Sequence, residues 1–149
     1  MKTRAIVENV PITYLYLDVT NNCILSCDYC FRGKKNKQRL SWEIGTKTID
    51  FLIRHSQNQR SLVVGFIGGE PLLEFELIKK LVPYAKLKTA YYGKEINFHV
   101  TTNCVLVNDE IIHFFRQHNI RFLTSIDGGP ESHDKHRHFP NGSGTLAII

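Results

Sequence analysis

No stretch of this chain approaches the roughly 20 consecutive apolar residues that a membrane-spanning helix needs, so no membrane partner is expected. The basic start, with Lys2 and Arg4, is not followed by the apolar segment of a secretory signal. Together these absences point to the cytoplasm. Cysteine is scarce as well: the 149 residues hold four, with Cys23, Cys27 and Cys30 inside eight residues and Cys104 alone. That distribution suits clustered thiolates in a reducing compartment better than two disulfides. A solenoid-like repeat and a low-complexity linker are also missing, which leaves one domain over residues 1–149 as the default.

What is present fits a globular protein, since 42% hydrophobic residues in a chain of this length can bury one core. The net charge of +5 comes from 19 basic against 14 acidic residues, with Lys34, Lys35, Lys37 and Arg39 gathered just after the cysteine loop. Such a run can attract an acidic redox partner or an acidic peptide, or remain a solvated loop. A nucleic-acid partner is not expected.

Four strand-like runs alternate with helical patterns. Tyr14 to Val19, Leu62 to Ile67, Ile96 to Val100 and Arg121 to Ile126 carry aromatic and β-branched content. The second run is almost continuously apolar, as expected for a parallel strand covered on both faces. Ser41 can cap a first helix that turns Ile44, Thr48, Leu52 and Ile53 inward and ends near His55. Leu73 to Lys86 is a second helix through Leu77, Ile78, Leu81 and Val82, which Pro83 should bend or divide. Asn108 can cap a third, with Ile111, Ile112 and Phe115 on one face and an end at Gln117 to Asn119.

Strand-helix alternation calls for a parallel sheet with right-handed crossovers, and in such a sheet every loop after a strand emerges on the same edge. The cysteine loop, Gly68-Gly69-Glu70-Pro71, Thr101-Thr102-Asn103 and Ser125-Ile126-Asp127-Gly128 should therefore meet there. That edge is where α/β enzymes place their chemistry. Asn141 to Gly144 reads as a turn, and Thr145 to Ile149 as the start of a helix or strand. Four strands cannot close an eight-stranded barrel, so a fragment of a longer fold is expected.

Cys23, Cys27 and Cys30 form a C-x3-C-x2-C set, one thiolate short of a closed four-cysteine site. Histidine is absent between Ile12 and Ile49, so no local residue completes a Cys3His zinc site, and Cys104 follows a different strand. Three thiolates can hold three irons of a [4Fe-4S] cubane and leave the fourth open to an outside ligand, although three sulfurs alone do not exclude zinc.

The segment Cys23 to Cys30, with Tyr29 in the aromatic position, resembles the C-x3-C-x-aromatic-C motif of the radical S-adenosylmethionine superfamily. The resemblance implies a partial TIM-type barrel, of which residues 1–149 would be the N-terminal portion. It implies a [4Fe-4S] cluster on Cys23, Cys27 and Cys30, which are then both the metal ligands and the catalytic residues. S-adenosyl-L-methionine would chelate the open iron, and one electron would cleave it to a 5'-deoxyadenosyl radical that takes hydrogen from a substrate.

Further matches extend the resemblance over nearly the whole chain. Gly68-Gly69-Glu70-Pro71 matches the family's Gly-Gly-Glu-Pro motif, whose backbone and Glu70 would bind the methionine amino group. Ser125 and Asp127 resemble strand-four residues that contact the nucleoside or shape the substrate side. Thr102 and Asn103 are candidates for cofactor or substrate contact, and Tyr29 for adenine contact. Each has a plainer reading: strand termination for Thr102 and Asn103, turn capping for Ser125 and Asp127, core packing for Tyr29, and helix capping for Glu70.

Ser125 to Arg137 looks like the corresponding stretch of anaerobic sulfatase-maturating enzymes and related peptide modifiers. This favours an oxidoreductase acting on a protein or peptide, with reduced flavodoxin or ferredoxin as electron donor. A radical enzyme acting on a small molecule, or a structural zinc-binding interaction module, are the alternatives. Two departures stand out. Cys104 replaces the glycine often found after Thr-Asn, and Gly129 lengthens the Asp-Gly-Pro turn by one residue. His133, His136 and His138 form a metal-like tract that reads better as polar surface or as help in peptide binding.

Overall fold

The structure is a computed structural model that describes residues 10–33 and 35–149, so Lys34 of the basic run lies outside the described residues. Four parallel strands, β1 (Tyr14–Thr20), β2 (Ser61–Gly68), β3 (Glu95–Thr101) and β4 (Ile120–Leu123), are ordered as in sequence. The expected α/β architecture is therefore present. Tyr16 pairs with Gly65, Gly65 with His99 and His99 with Arg121, which fixes one register across the sheet.

Alternate residues of the strands face a shared core. Leu17 and Val19, Leu62, Val64 and Phe66, and Ile96, Phe98 and Val100 are buried there against helices α1 (Trp42–His55), α2 (Phe75–Tyr91) and α3 (Asp109–His118). The other sheet face differs from the two-sided cover expected for β2. It carries Tyr14, Tyr16, Asn97 and Thr101, all exposed, with Tyr14 Oη 2.8 Å from His99 Nε2.

Ser41 caps α1 as expected, its Oγ accepting from Ile44 N at 3.3 Å. The inward stripe, however, is Gly45, Ile49, Leu52 and Ile53, while Ile44 is 57% exposed. Gly45 is the reason: a Cβ there would lie 2.9 Å from Leu81 Cδ2, so the small residue lets α1 approach α2. A search for large apolar residues passes over it.

A 3₁₀ turn at Pro71–Glu74 leads into α2, which runs five residues beyond Lys86 without dividing at Pro83. Pro83 is exposed, so the carbonyl that loses its donor can be solvated, and the stripe Ile78, Leu81, Val82, Ala85 and Thr89 holds both sides of it. In α3, Asn108 Oδ1 accepts from Ile111 N at 3.0 Å, and Asn119 ends the helix with φ 54°. Ile111 and Phe115 are buried but Ile112 is 37% exposed.

Strand β4 stops at Leu123, three residues before the expected end, which leaves Ser125 and Ile126 in the loop. Beyond it a short helix α4 (Pro130–His136) forms where only a motif was read. The chain then turns at Asn141 to Gly144, pairing His138 with Gly144, and finishes in one further turn.

Candidate functional site

The parallel sheet delivers its exit loops to one edge, and there they enclose a cavity of about 190 Å³. Cys23, Cys27, Tyr29 and Cys30 line it from the β1 exit, Gly68 and Gly69 from the β2 exit. Thr102 and Asn103 reach it from the β3 exit, and Ser125 from the β4 exit. Of the residues singled out in sequence, Glu70 and Asp127 stand behind the wall rather than in it.

The β1 to β3 exits are knitted together by backbone. Gly69 N donates to Thr20 O at 2.8 Å, and Glu70 N to Asn22 O at 2.9 Å. Neither glycine has room for a side chain: a Cβ on Gly68 would meet Thr20 O at 2.7 Å, and one on Gly69 would meet Asn22 O at 2.3 Å. Glu70 is 0% exposed. Its Oε1 accepts from Leu72 N at 3.0 Å and Thr102 Oγ1 at 2.8 Å, and its Oε2 from Asn103 N at 2.8 Å. Burial pushes the Glu70 carboxyl above the usual carboxylate range, against the pull of these three donors. Glu70 thus caps the 3₁₀ turn and ties it to the β3 exit.

All four cysteines are free thiols. Burial pushes the Cys23 and Cys27 thiols up, while Leu25 N and then Lys35 oppose the shift at Cys23, and Arg137 and Lys35 oppose it at Cys27. A bound metal would supply the charge that favours the thiolates. Among the described residues no three His, Cys, Asp or Glu side chains converge closely enough for one ion. Cys23, Cys27 and Cys30 instead line one common cavity. Soft thiolate donors in a half-buried, partly cationic pocket fit a multi-iron cluster. Cys104 lies outside the cavity wall and takes φ 64°, a left-handed conformation that favours glycine.

The remaining side of the rim is built by side chains from distant parts of the sequence. Tyr29 Oη donates to Asp127 Oδ2, which also accepts from Arg137 Nε at 3.0 Å, and the Arg137 guanidinium lies 5.3 Å from the Tyr29 ring centroid. Burial, then the bond to Asp127, pushes the Tyr29 hydroxyl up to about 12. The Tyr29 bond and the Arg137 cation hold Asp127 below its ordinary value despite partial burial. Next to this group, Asp28 accepts from His138 Nε2 at 3.0 Å and lies 3.3 Å from His136 Nδ1, and these contacts hold its carboxyl down. Backbone bonds run alongside, Ser26 N to His138 O at 2.8 Å and Asp28 N to His136 O at 3.1 Å.

His133 departs from the surface placement expected for the histidine tract, because it is 1% exposed. Thr145 Oγ1 donates to Arg137 O, so His133 Nε2 donates to Thr145 Oγ1 at 3.1 Å, while Nδ1 accepts from Asp127 N at 3.3 Å. These two bonds fix the ring in a structural position. Arg137, Asp28 and Lys35, with Leu25, Phe31 and Arg32 of the cavity wall, are residues that the sequence does not assign to the site. Arg137 stood at the end of a recognised motif, whereas nothing near Asp28 announced a partner 108 residues away.

A family profile described as the radical SAM superfamily matches residues 17–146, most of the chain. The chain belongs to that superfamily. It is 36% identical over 129 residues to an uncharacterized protein of Methanocaldococcus jannaschii, covering 87% of this chain and 43% of the relative. A serine-type anaerobic sulfatase-maturating enzyme of Bacteroides thetaiotaomicron is 32% identical over 135 residues, covering 85% of this chain and 32% of that enzyme. A solved anSMEcpe structure with bound AdoMet superposes with a TM-score of 0.81 at 24% identity, covering 93% of this chain and 38% of that one. The chain thus spans less than half the length of these relatives. The superposition carries the expected N-terminal part of the radical SAM fold. Among the described residues no helix is long and apolar enough to cross a membrane.

Proposed function

We propose that this chain carries the cluster-binding and S-adenosylmethionine-binding part of a radical SAM oxidoreductase that modifies a protein or peptide. The observation that carries the reading is the meeting of the three C-x3-C-x2-C thiols with the Gly68-Gly69 backbone and Ser125 around one cavity. Superfamily membership sets aside a stand-alone zinc module, and resemblance to sulfatase-maturating enzymes favours a peptide over a small molecule.

When bound, a [4Fe-4S] cluster and S-adenosylmethionine supply one-electron cleavage to a 5'-deoxyadenosyl radical that abstracts hydrogen. Cys23, Cys27 and Cys30 would hold three of the irons. Gly68 and Gly69 would present their backbone to the methionine end from the cavity wall, and Glu70 keeps that backbone in place through Thr102 and Asn103. The Arg137 guanidinium spends Nε on Asp127 and, among the described residues, makes no further hydrogen bond, so its remaining N–H groups are available to a carboxylate in the cavity. Tyr29 offers a ring beside the cavity, its hydroxyl held by Asp127. Ser125, at the β4 exit, is placed for a hydroxyl or carboxylate of the same ligand. Lys35 at the cavity and Lys37 and Arg39 beyond it give a reduced flavodoxin or ferredoxin a cationic approach.

Anaerobic reconstitution tests the reading. The expected product is a brown protein with about four irons and four sulfides per chain, which the triple Cys23, Cys27 and Cys30 to Ala variant cannot form. Added reductant and S-adenosylmethionine then yield 5'-deoxyadenosine. A stoichiometric zinc protein that takes up no iron overturns the proposal. Transfer of deuterium from a side-chain-labelled peptide into 5'-deoxyadenosine marks the substrate class, and transfer only from small molecules rejects the peptide.

A further inference from the structure

The three thiols are not equivalent in their surroundings. Cys23 Sγ accepts from Leu25 N at 3.4 Å and from Asn103 Nδ2 at 3.8 Å, both within reach for sulfur. Among the described residues no donor reaches Cys27 Sγ or Cys30 Sγ. The amide of Asn103 is held on two further sides. Val105 N donates to Asn103 Oδ1 at 3.1 Å, which fixes the amide so that its NH₂ group faces the sulfur, and Asn103 N donates to Glu70 Oε2 at 2.8 Å. A buried carboxylate, the β3 exit and one thiol are thereby linked in a chain of bonds.

We propose that Asn103 is a positioning residue that tunes the reduction potential of the cluster through the thiolate of Cys23. The inference rests on the cluster reading above. Reduction adds one electron and no proton to a cluster that is already anionic through its thiolates. An N–H donor on a ligand sulfur stabilises the added negative charge more than the charge already there, so it raises the potential. Removing the donor makes the cluster harder to reduce. Asn103 thus helps bring the cluster within range of a biological electron donor, a role separate from contact with substrate.

The test is an EPR-monitored redox titration of the reconstituted chain without S-adenosylmethionine. Asn103→Ala is expected to shift the reduction equilibrium about tenfold toward the oxidised cluster, which for one electron is about 59 mV more negative. Asn103→Asp keeps the side-chain shape and the acceptor for Val105 N–H but puts a carboxylate against the sulfur. It is expected to lie lower still, and it answers for any loosening of the loop in the alanine variant. Cys104→Gly, which alters the neighbouring backbone but no donor, is expected to titrate with the wild type. Wild-type potentials in both Asn103 variants overturn the inference, as does an equal shift in Cys104→Gly. A wild-type chain that assembles no cluster overturns the cluster reading itself, which is a different result.

Discussion

The two halves of the cavity rim are held together in opposite ways. At the β1 to β3 exits the links are short and centre on one buried residue: two backbone bonds, Gly69 to Thr20 and Glu70 to Asn22, and three to the buried Glu70 carboxylate from Leu72, Thr102 and Asn103. At the β4 exit two backbone bonds, Ser26 N to His138 O and Asp28 N to His136 O, are joined by side-chain pairs between exposed or partly exposed groups, Asp127 with Tyr29 and Arg137, and Asp28 with His136 and His138. Buried, satisfied polar groups are rigid because leaving one unpaired is costly, whereas exposed charge pairs contribute little and exchange readily with water. The first half therefore has the character of a fixed cradle, and the second that of a strap laid across the cysteine loop.

The cradle is where a substitution should cost most. Glu70→Ala removes the acceptor of three buried donors, and at about 1–1.5 kcal/mol each the expected loss of stability is about 3–5 kcal/mol. Urea denaturation of the wild type and the variant measures it. Glu70→Gln should fall in between, since Oε1 can still accept while the amide NH₂ opposes Asn103 N–H. A loss under about 1 kcal/mol in Glu70→Ala would show that solvent fills the gap and that the cradle is no more rigid than the strap.

The same division explains how far the sequence could be read. The cradle announces itself: apolar runs end in Gly68-Gly69 and Thr101-Thr102, and parallel topology then brings those ends together without any knowledge of side chains. Thr124, Ser125 and Ile126 continue the strand-like composition of the fourth run, yet β4 ends three residues short of Ile126, at Leu123, with β3 as its one neighbour in the sheet. His133 looked like a surface residue because it sits among Lys135, His136 and Arg137. Its burial depends on Asp127 N and Thr145 Oγ1, contacts that no local pattern encodes. Gly45 is invisible in the α1 stripe for a related reason, since close approach to Leu81 leaves no hydrophobic mark.

The strap should yield a smaller and more local effect. Asp127→Ala frees Tyr29 and Arg137, whose partner is itself about a third exposed, and a stability loss of about 1 kcal/mol is expected. Hydrogen exchange gives the sharper reading. The amides of Ser26 and Asp28, which donate to His138 O and His136 O, should exchange severalfold faster, while those of Gly69, Glu70 and Asn103 stay protected. Equal acceleration in both sets would mean that the rim opens as one unit and that the contrast drawn between its halves is false.

The smallest expected effect lies at the junction of cradle and loop, and it has the opposite sign. Cys104 holds φ 64°, where a side chain is strained and glycine is not. Replacing it by glycine relieves roughly 1–2 kcal/mol of local strain but adds freedom to the unfolded chain, at a cost of about 0.4–1 kcal/mol. The net expectation for Cys104→Gly is a gain of about 0.5–1 kcal/mol, seen as a higher urea midpoint with an unchanged denaturant slope. Cys104→Ala separates backbone from sulfur: it removes the thiol and keeps the Cβ that carries the strain, so it should show no gain. If alanine proves as stable as glycine, the left-handed turn is not what distinguishes this position, and loss of the cysteine side chain alone accounts for the change.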